Sequence, residues 1–412
     1  MPANISNVNT AVGFNQAATI LNSIVQQATG KTSLTATSTA EFVSQAQTAL
    51  LTGVDPLMNA ISTVLSKTIF SIRPYNARFL GLQRDAVQWG NHVRKINFGG
   101  DGVEAESRYD LADGYSVDQQ IVKKPDILQT NWYSYDSYQN HYTIFRDQLD
   151  MAFQGPEEFM RFVTGVTTEV SNKLEQYREN FARMTLCNLI GSTANLGRVR
   201  HLLTEFATEM GITKTVTVDG VDTTVPDPDS VLPTYMDGFV KWLFAELRVL
   251  SDRFTERSLL YQTQITGHDI YRHTPKAMQR LYIYSPFLAQ VDARVLSAVY
   301  NPGYLNLGER EEVTYWQSIN TPGSVNIVPS QITPEAIVAS STPAGAYVKG
   351  DAYNAPVLGI LMDYEAAGTT QVHEWSAPAP FNARGGYTTV WYHMDMRGWN
   401  DNTEKAVVLA LD

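Results

Sequence analysis

The stretch that decides the fold is GPEEFMRFVTGVTTEVSNKLEQYRENFARMTLCNLIG, residues 155–191. Within it Phe159, Phe162, Val163, Val166, Val170, Leu174, Tyr177, Phe181 and Met184 recur at helical spacing, which stacks them as one apolar stripe. The opposite face carries Glu158 with Arg161, Glu169 with Lys173, Glu175 with Arg178, and Glu179 with Arg183. In each pair the acid comes first, the order that suits both pairing and the helix dipole. Pro156 fits a first helical turn, and Gly191-Ser192-Thr193 supplies a stop. Such a helix runs about 50 Å at the usual rise per residue, so the rest of the chain has to be hung on it. Taken alone it also suits a long core helix of an ordinary α+β enzyme.

The 412 residues allow a large core and about two or three domains. Hydrophobic content of 43% against 18% charge describes a folded chain. A net charge of −11 argues against broad binding to nucleic acid, which needs clustered cations. Cys187, the single cysteine, cannot close an intrachain disulfide and suits a reducing cytoplasm. The N-terminus has no basic start followed by an apolar core, and no apolar run is long enough to cross a bilayer. The Asn4-Ile5-Ser6 sequon is then a chance match.

Residues 1–30 carry no charge, and up to Ser66 only Lys31, Glu41 and Asp55 interrupt a run of small polar residues. Leu21, Ile24, Val25 and Ala28, then Phe42, Val43, Ala46, Ala49 and Leu50, then Leu57, Ile61, Val64 and Leu65 keep helical spacing. Short weakly amphipathic helices do not stand alone, so this is an arm that docks on a partner or a neighbouring copy. Residues 80–89 read as a short helix or turn. Residues 92–98 alternate as a strand, and residues 127–145 form a second strand-like run dense in aromatics: Trp132, Tyr133, Tyr135, Tyr138, Tyr142 and Phe145. Between them, residues 103–122 are acidic, with Asp110, Asp113 and Asp118. The pattern is a protruding two-stranded ribbon, which needs something to lie against.

Residues 198–210 continue as helix. Residues 215–225 form a hairpin with Asp219-Gly220 at a type I′ bend. The acids of residues 226–229 lack the glycine and distal glutamate of a calcium loop. Pro233 opens a second helix with Phe239, Val240, Leu243, Phe244, Leu247, Leu250 and Phe254 on one face. Beyond it, residues 259–266 are strand-like, 277–281 and 285–300 helical, and 313–319 and 325–328 short strands. Three late strands, at 357–362, 389–394 and 406–411, close the chain.

Chemistry finds little support. There is no phosphate loop and no nucleophile elbow. The seven histidines are scattered, and no pair has the spacing of a zinc site. No carboxylate pair stands out for hydrolysis. The aromatic row has too few basic neighbours to stack bases, and packing between protein surfaces is its better use. The expectation is no catalytic centre, no cofactor and no metal.

The order of parts, together with the aromatic late segment Trp391-Tyr392-His393-Met394-Asp395-Met396-Arg397-Gly398-Trp399, resembles a tailed-bacteriophage major capsid protein of the Hong Kong 97 type. The resemblance covers the whole chain and implies an α+β fold. Its parts would be an N-terminal arm (1–78), an E-loop ribbon with its base (79–150), a peripheral domain (151–230) with a spine helix at 156–190, an axial domain (231–349), and shared return strands (350–412). It implies a virion subunit, made and assembled in the bacterial host cytoplasm, that forms pentamers and hexamers around double-stranded DNA with weak non-specific contact and no membrane. Many relatives begin with a charged scaffold segment. This chain starts nearly uncharged, and Met1 favours a separate scaffolding protein over a processed start; a portal and decoration proteins are the other implied partners. Some relatives cross-link their subunits through isopeptide bonds. Lys95, Lys123 and Lys124 are the ribbon lysines that this would use, and solvated charges are their plainer explanation.

The ribbon is expected to cross a neighbouring subunit near its long helix. Trp132, Tyr135, Tyr138 and Tyr142 would supply contact area, facing the helix charges Glu169, Lys173, Glu179 and Arg183. An encapsulin-like compartment shell and a soluble carboxylate hydrolase are the alternatives.

Overall fold

The computed structural model describes residues 78–84, 92–99, 112–116, 120, 126–133, 135–148, 156–218, 221–263, 270–295, 309–331 and 348–412, with Asn22, Gln26 and Glu41. Most of the arm, much of the ribbon tip with Lys123 and Lys124, and the Asp219-Gly220 bend lie outside the described residues.

Helix α1 spans Pro156–Asn195, 40 residues, or about 60 Å. Gly191 does not stop it. The stop is Gly197, at φ 73. There the Arg198 N–H donates to Thr193 O at 3.2 Å and the Gly197 N–H to Ala194 O at 2.9 Å, a left-handed cap that glycine enters without steric cost. Gly191 instead allows close packing, because a Cβ there would lie 2.8 Å from Ile327 Cγ2.

The apolar stripe is also rotated from its expected place. Val170, Leu174 and Phe181 are buried, but Tyr177 and Met184 are 44% and 50% exposed, while Glu179 and Arg183 are each only 6% exposed. The reason is what closes over the charged face. Arg183 lies 3.6 Å from the Tyr315 ring centroid, and Glu179 accepts from the Arg78 backbone N–H at 3.3 Å. The strap around Phe79 and Leu82, a 3-10 turn at Leu80–Leu82, thus packs beside a helix face that periodicity alone marks as solvated.

The main sheet holds six strands: β4 (Val199–His201), β7 (Gln279–Tyr284), β8 (Glu309–Val313), β9 (Ser324–Ile327), β12 (Tyr353–Asp363) and β15 (Ala406–Ala410). Its order is β4-β15-β12-β7-β8, with β9 also pairing β12. All five residues of β15 are buried. Its β-branched and small side chains suit a strand covered on both faces.

One apolar cluster packs against this sheet from α2 (Leu202–Met210), α3 (Val231–Thr234), α4 (Met236–Thr255) and α5 (Ser285–Val295). Another gathers Leu186, Leu189 and Ile190 of α1 with Phe79, Trp316 and Val408. The last turn of α4 is held by Lys405, whose Nζ donates to the carbonyls of Glu256 at 2.6 Å and of Arg253 and Phe254 at 3.3 Å, a cation where the helix dipole is negative.

The aromatic run at 127–145 is two strands with different partners. β1 (His92–Gly99) pairs antiparallel with β2 (Asp126–Tyr133) to make the ribbon. β3 (Asp136–Phe145) leaves it and pairs with β14 (Tyr387–Asn400). With β13 (Ala367–Pro378), a strand the sequence did not disclose, these form a three-stranded sheet ordered β13-β14-β3. Its inner face sets Val390, Tyr392, Met394 and Met396 against Val170, Leu174 and Phe181 of α1, with Tyr138 and Tyr142 alongside.

The hairpin of β5 (Thr213–Val218) and β6 (Val221–Pro226) forms as expected. Elsewhere local spacing misleads. Residues 277–281 are a 3-10 turn, Lys276–Met278, running into strand β7. Residues 198–201 give strand β4 before α2 begins. The described residues 259–263 form no strand, and Tyr261 turns the chain at φ 65. The remaining short strands are β10 (Ser330–Gln331) and β11 (Val348–Lys349).

Candidate assembly surface

The ribbon is fixed to the body by buried groups. Trp132 is 3% exposed; its Nε1–H donates to Asn400 O at 3.3 Å, and its ring lies 6.4 Å from that of Trp399. Across the ribbon, Lys95 is no solvated lysine: its Nζ sits 2.9 Å from Asp401 Oδ2 and 3.1 Å from Glu365 Oε2, and also contacts Glu404. Glu404 in turn meets Arg272 at 3.0 Å. Burial alone would lower the Lys95 pKa, but the Asp401 and Glu404 charges outweigh it and hold it above the ordinary lysine value. Burial pushes Glu404 up. In Asp401 the opposing pull of Lys95 and Thr403 beats desolvation and holds the carboxyl down.

The expected interface residues therefore divide. Trp132, Glu179 and Arg183 are buried within this chain, so the area and charge they were to offer a neighbour are used inside the subunit. Tyr138 and Tyr142 sit against α1 and β14: the Tyr138 and Tyr177 rings are 4.1 Å apart, and those of Tyr142 and Tyr392 5.6 Å. Burial raises both phenols, Tyr138 to about 12. Tyr135, at 44%, stays open, as do Glu169 and Lys173, paired at 3.2 Å.

One surface was not legible in advance. Three of the histidines that look scattered in sequence lie on the outer face of the three-stranded sheet, each against a different aromatic ring. His393 stacks on Trp375 at 3.9 Å, His141 lies 4.6 Å from Trp391, and the His373 ring lies 6.4 Å from that of Tyr135. The only sequence signal for it was the alternation in residues 391–399, whose partner strand β13 went unseen.

The model of the family described as Phi29-like phage major capsid protein matches residues 19–410. No curated protein matches the chain. Among solved structures it is similar to the capsid structure of Staphylococcus phage Andhra, at 8% identity and a TM-score of 0.48, over 82% of this chain and 86% of that one. It is also similar to a chain in the structure of head fiber and inner core protein gp22 of native bacteriophage P68, at 9% identity and 0.48, covering 83% and 86%. A third is the capsid structure of cyanophage P-SCSP1u, at 10% identity and 0.41, covering 81% and 88%. The family match selects the phage shell subunit over the compartment and hydrolase readings and makes the chain a structural protein, not an enzyme. With nearly its whole length matched, the chain belongs to the family of Phi29-like phage major capsid proteins.

Proposed function

We propose that this subunit assembles as pentamers and hexamers of an icosahedral shell around the double-stranded DNA of a tailed phage. A separate scaffolding protein, a portal and decoration proteins are its partners, and synthesis and assembly take place in the host cytoplasm. Shell building itself follows from the family. The lattice reading rests on one observation: β1 and β2 form a sheet of two strands, an element marginal by itself in water, yet buried groups brace its base. A two-stranded ribbon gains further support along its length from a neighbouring copy.

The division into arm (1–78), ribbon (79–150), peripheral domain (151–230), axial domain (231–349) and return strands (350–412) is part of the same proposal. Contact with the genome is weak and non-specific, because a chain of net charge −11 has few cations to displace counterions. Tyr135, with the Glu169–Lys173 pair, is the open part of the expected contact. Electron microscopy of the purified protein should show closed particles with fivefold and sixfold clusters. A sample that stays as small oligomers under all assembly conditions would refute the lattice.

A further inference from the structure

Strand β3 is an edge of its sheet, and between it and α1 runs an open groove. A cavity of about 370 Å³ lies at one end, lined by Tyr135, Phe181, Met184 and Asn188. Another of about 320 Å³ lies further along, lined by Tyr138, Lys173, Leu174, Tyr177 and Asn180. On α1 the groove follows a single stripe: Lys173, Tyr177, Asn180, Met184 and Asn188 succeed one another at steps of three and four. Tyr177 and Met184, the two large apolar residues left uncovered on this helix among the described residues, mark its two cavities. Their neighbours are mostly amides and aromatics; the first cavity also holds Asp136 and Arg397, one charge of each sign, and the Lys173 charge at the second is met by Glu169. An occupant therefore needs apolar anchors at two points, polar flanks and little charge.

The chain contains such a segment. Leu21, Ile24, Val25 and Ala28 stand at i, i+3, i+4 and i+7, the anchor pattern of a helix laid in a groove. Leu21 and Ala28 are seven residues apart, as are Tyr177 and Met184, a separation of about 10 Å along any helix axis. Two helices packed side by side would bring these ends into register. Residues 1–30 carry no charge in a chain of net −11, so they approach this groove without the repulsion that another acidic segment would meet. Asn22 and Gln26 are helical and fall on the side away from the anchors. Arg78, whose backbone N–H donates to Glu179, lies on the face of α1 opposite the Tyr177–Met184 stripe.

We propose that the groove between β3 and α1 seats the amphipathic segment around residues 21–28 of a second copy of this chain, with Leu21, Ile24, Val25 and Ala28 against Tyr177 and Met184. This rests on the multi-copy shell proposed above, and it supplies the neighbour on which the uncharged arm docks.

The test uses two full-length populations with different tags, one carrying Met184→Cys and the other Ile24→Cys, mixed under assembly conditions and mildly oxidised. The native Cys187 is buried, with its thiol pushed up to about 12 by burial, and stays out of the reaction. A disulfide between the two tags is expected with Ile24→Cys and not with Ser23→Cys, a position that helical spacing sets apart from the four anchors. Equal yield at both positions, no bond between tags, or a bond found only within one chain when both cysteines are placed together would overturn the proposal.

A second measurement keeps the fold out of question. Tyr177→Asp with Met184→Asp, both at exposed positions, should abolish the hydrogen-exchange protection of residues 19–30 in assembled material; protection retained counts against the groove. Microscopy of the same samples separates the two readings. Closed particles without the cross-link sink the groove alone. Absence of closed particles sinks the lattice, while the cross-link in whatever oligomers form still decides the groove.

Discussion

Two ion pairs on α1 have the same spacing and the same order, yet they are different devices. Glu169 and Lys173 meet at 3.2 Å with side chains 64% and 51% exposed; Glu179 and Arg183 meet at 2.6 Å with side chains 8% and 7% exposed. The first pair is screened by water and salt. The second sits under the strap at Phe79 and against Tyr315, where neither charge can be left alone cheaply. Spacing along a helix predicts which charges meet, whereas the segments packed over them set what the meeting contributes. The same contrast separates Trp132 from Tyr135, close in sequence but on opposite sides of the break between ribbon and sheet.

The largest effect is expected at the buried pair. Arg183→Ala should cost about 3 to 5 kcal/mol in urea unfolding, since it leaves Glu179 enclosed without its partner charge. A double Glu179→Gln, Arg183→Met variant should recover most of that loss. A cost below that of an ordinary surface change would mean the strap does not close this face.

Next in size, Trp132→Ala should destabilise the isolated subunit by about 3 kcal/mol, while Tyr135→Ala leaves its unfolding midpoint almost unchanged and lowers particle yield instead. If the two variants behave alike, the break between β2 and β3 has no consequence for the energy.

Smaller is the effect of alkali. Burial raises Tyr142, and raises Tyr392 to about 12. A folded-state pKa above the unfolded one gives stability that is complete below about pH 10 and is lost as pH rises through the folded value. Ultraviolet titration should show these phenols ionising late, together with a fall in stability of about 2 kcal/mol or more by pH 12. Tyr142→Phe should reduce that fall, and phenols that all titrate near pH 10 would contradict the packing of the inner sheet face.

Smallest of all, Lys173→Ala should change stability by less than about 0.5 kcal/mol, and the change should vanish in high salt. A larger or salt-resistant loss would show that this pair is enclosed as well.

The parts of the fold legible in sequence were those set by local rules. The 3.6-residue period gave α1 and α4, and turn chemistry with alternation gave the β5–β6 hairpin and the late strands. What stayed hidden depended on distant partners. Nothing near Glu179 announces that Arg78 and Tyr315 will cover it, and nothing near Lys95 announces Asp401 and Glu404. β13 was missed because Gly368, Thr369 and Thr370 dilute its apolar content, although β14 beside it completes the sheet. Of the candidate contact surface, Tyr135 and the Glu169–Lys173 pair emerge in the open, as do Tyr177 and Met184, which keep the period of the apolar stripe.

The interior place of β15 bears on how the chain can be made. β15 lies between β4 and β12, so residues 406–410 insert between strands that are synthesised earlier, one of them starting at Val199. A ribosome must release this segment before the sheet can close, and contacts of such long sequence separation form slowly. Until then β4 and β12 lack their shared neighbour, and their unpaired edges invite mispairing. A translation product halted before Ala406 lacks the strand that joins β4 to β12 and leaves those edges open to mispairing.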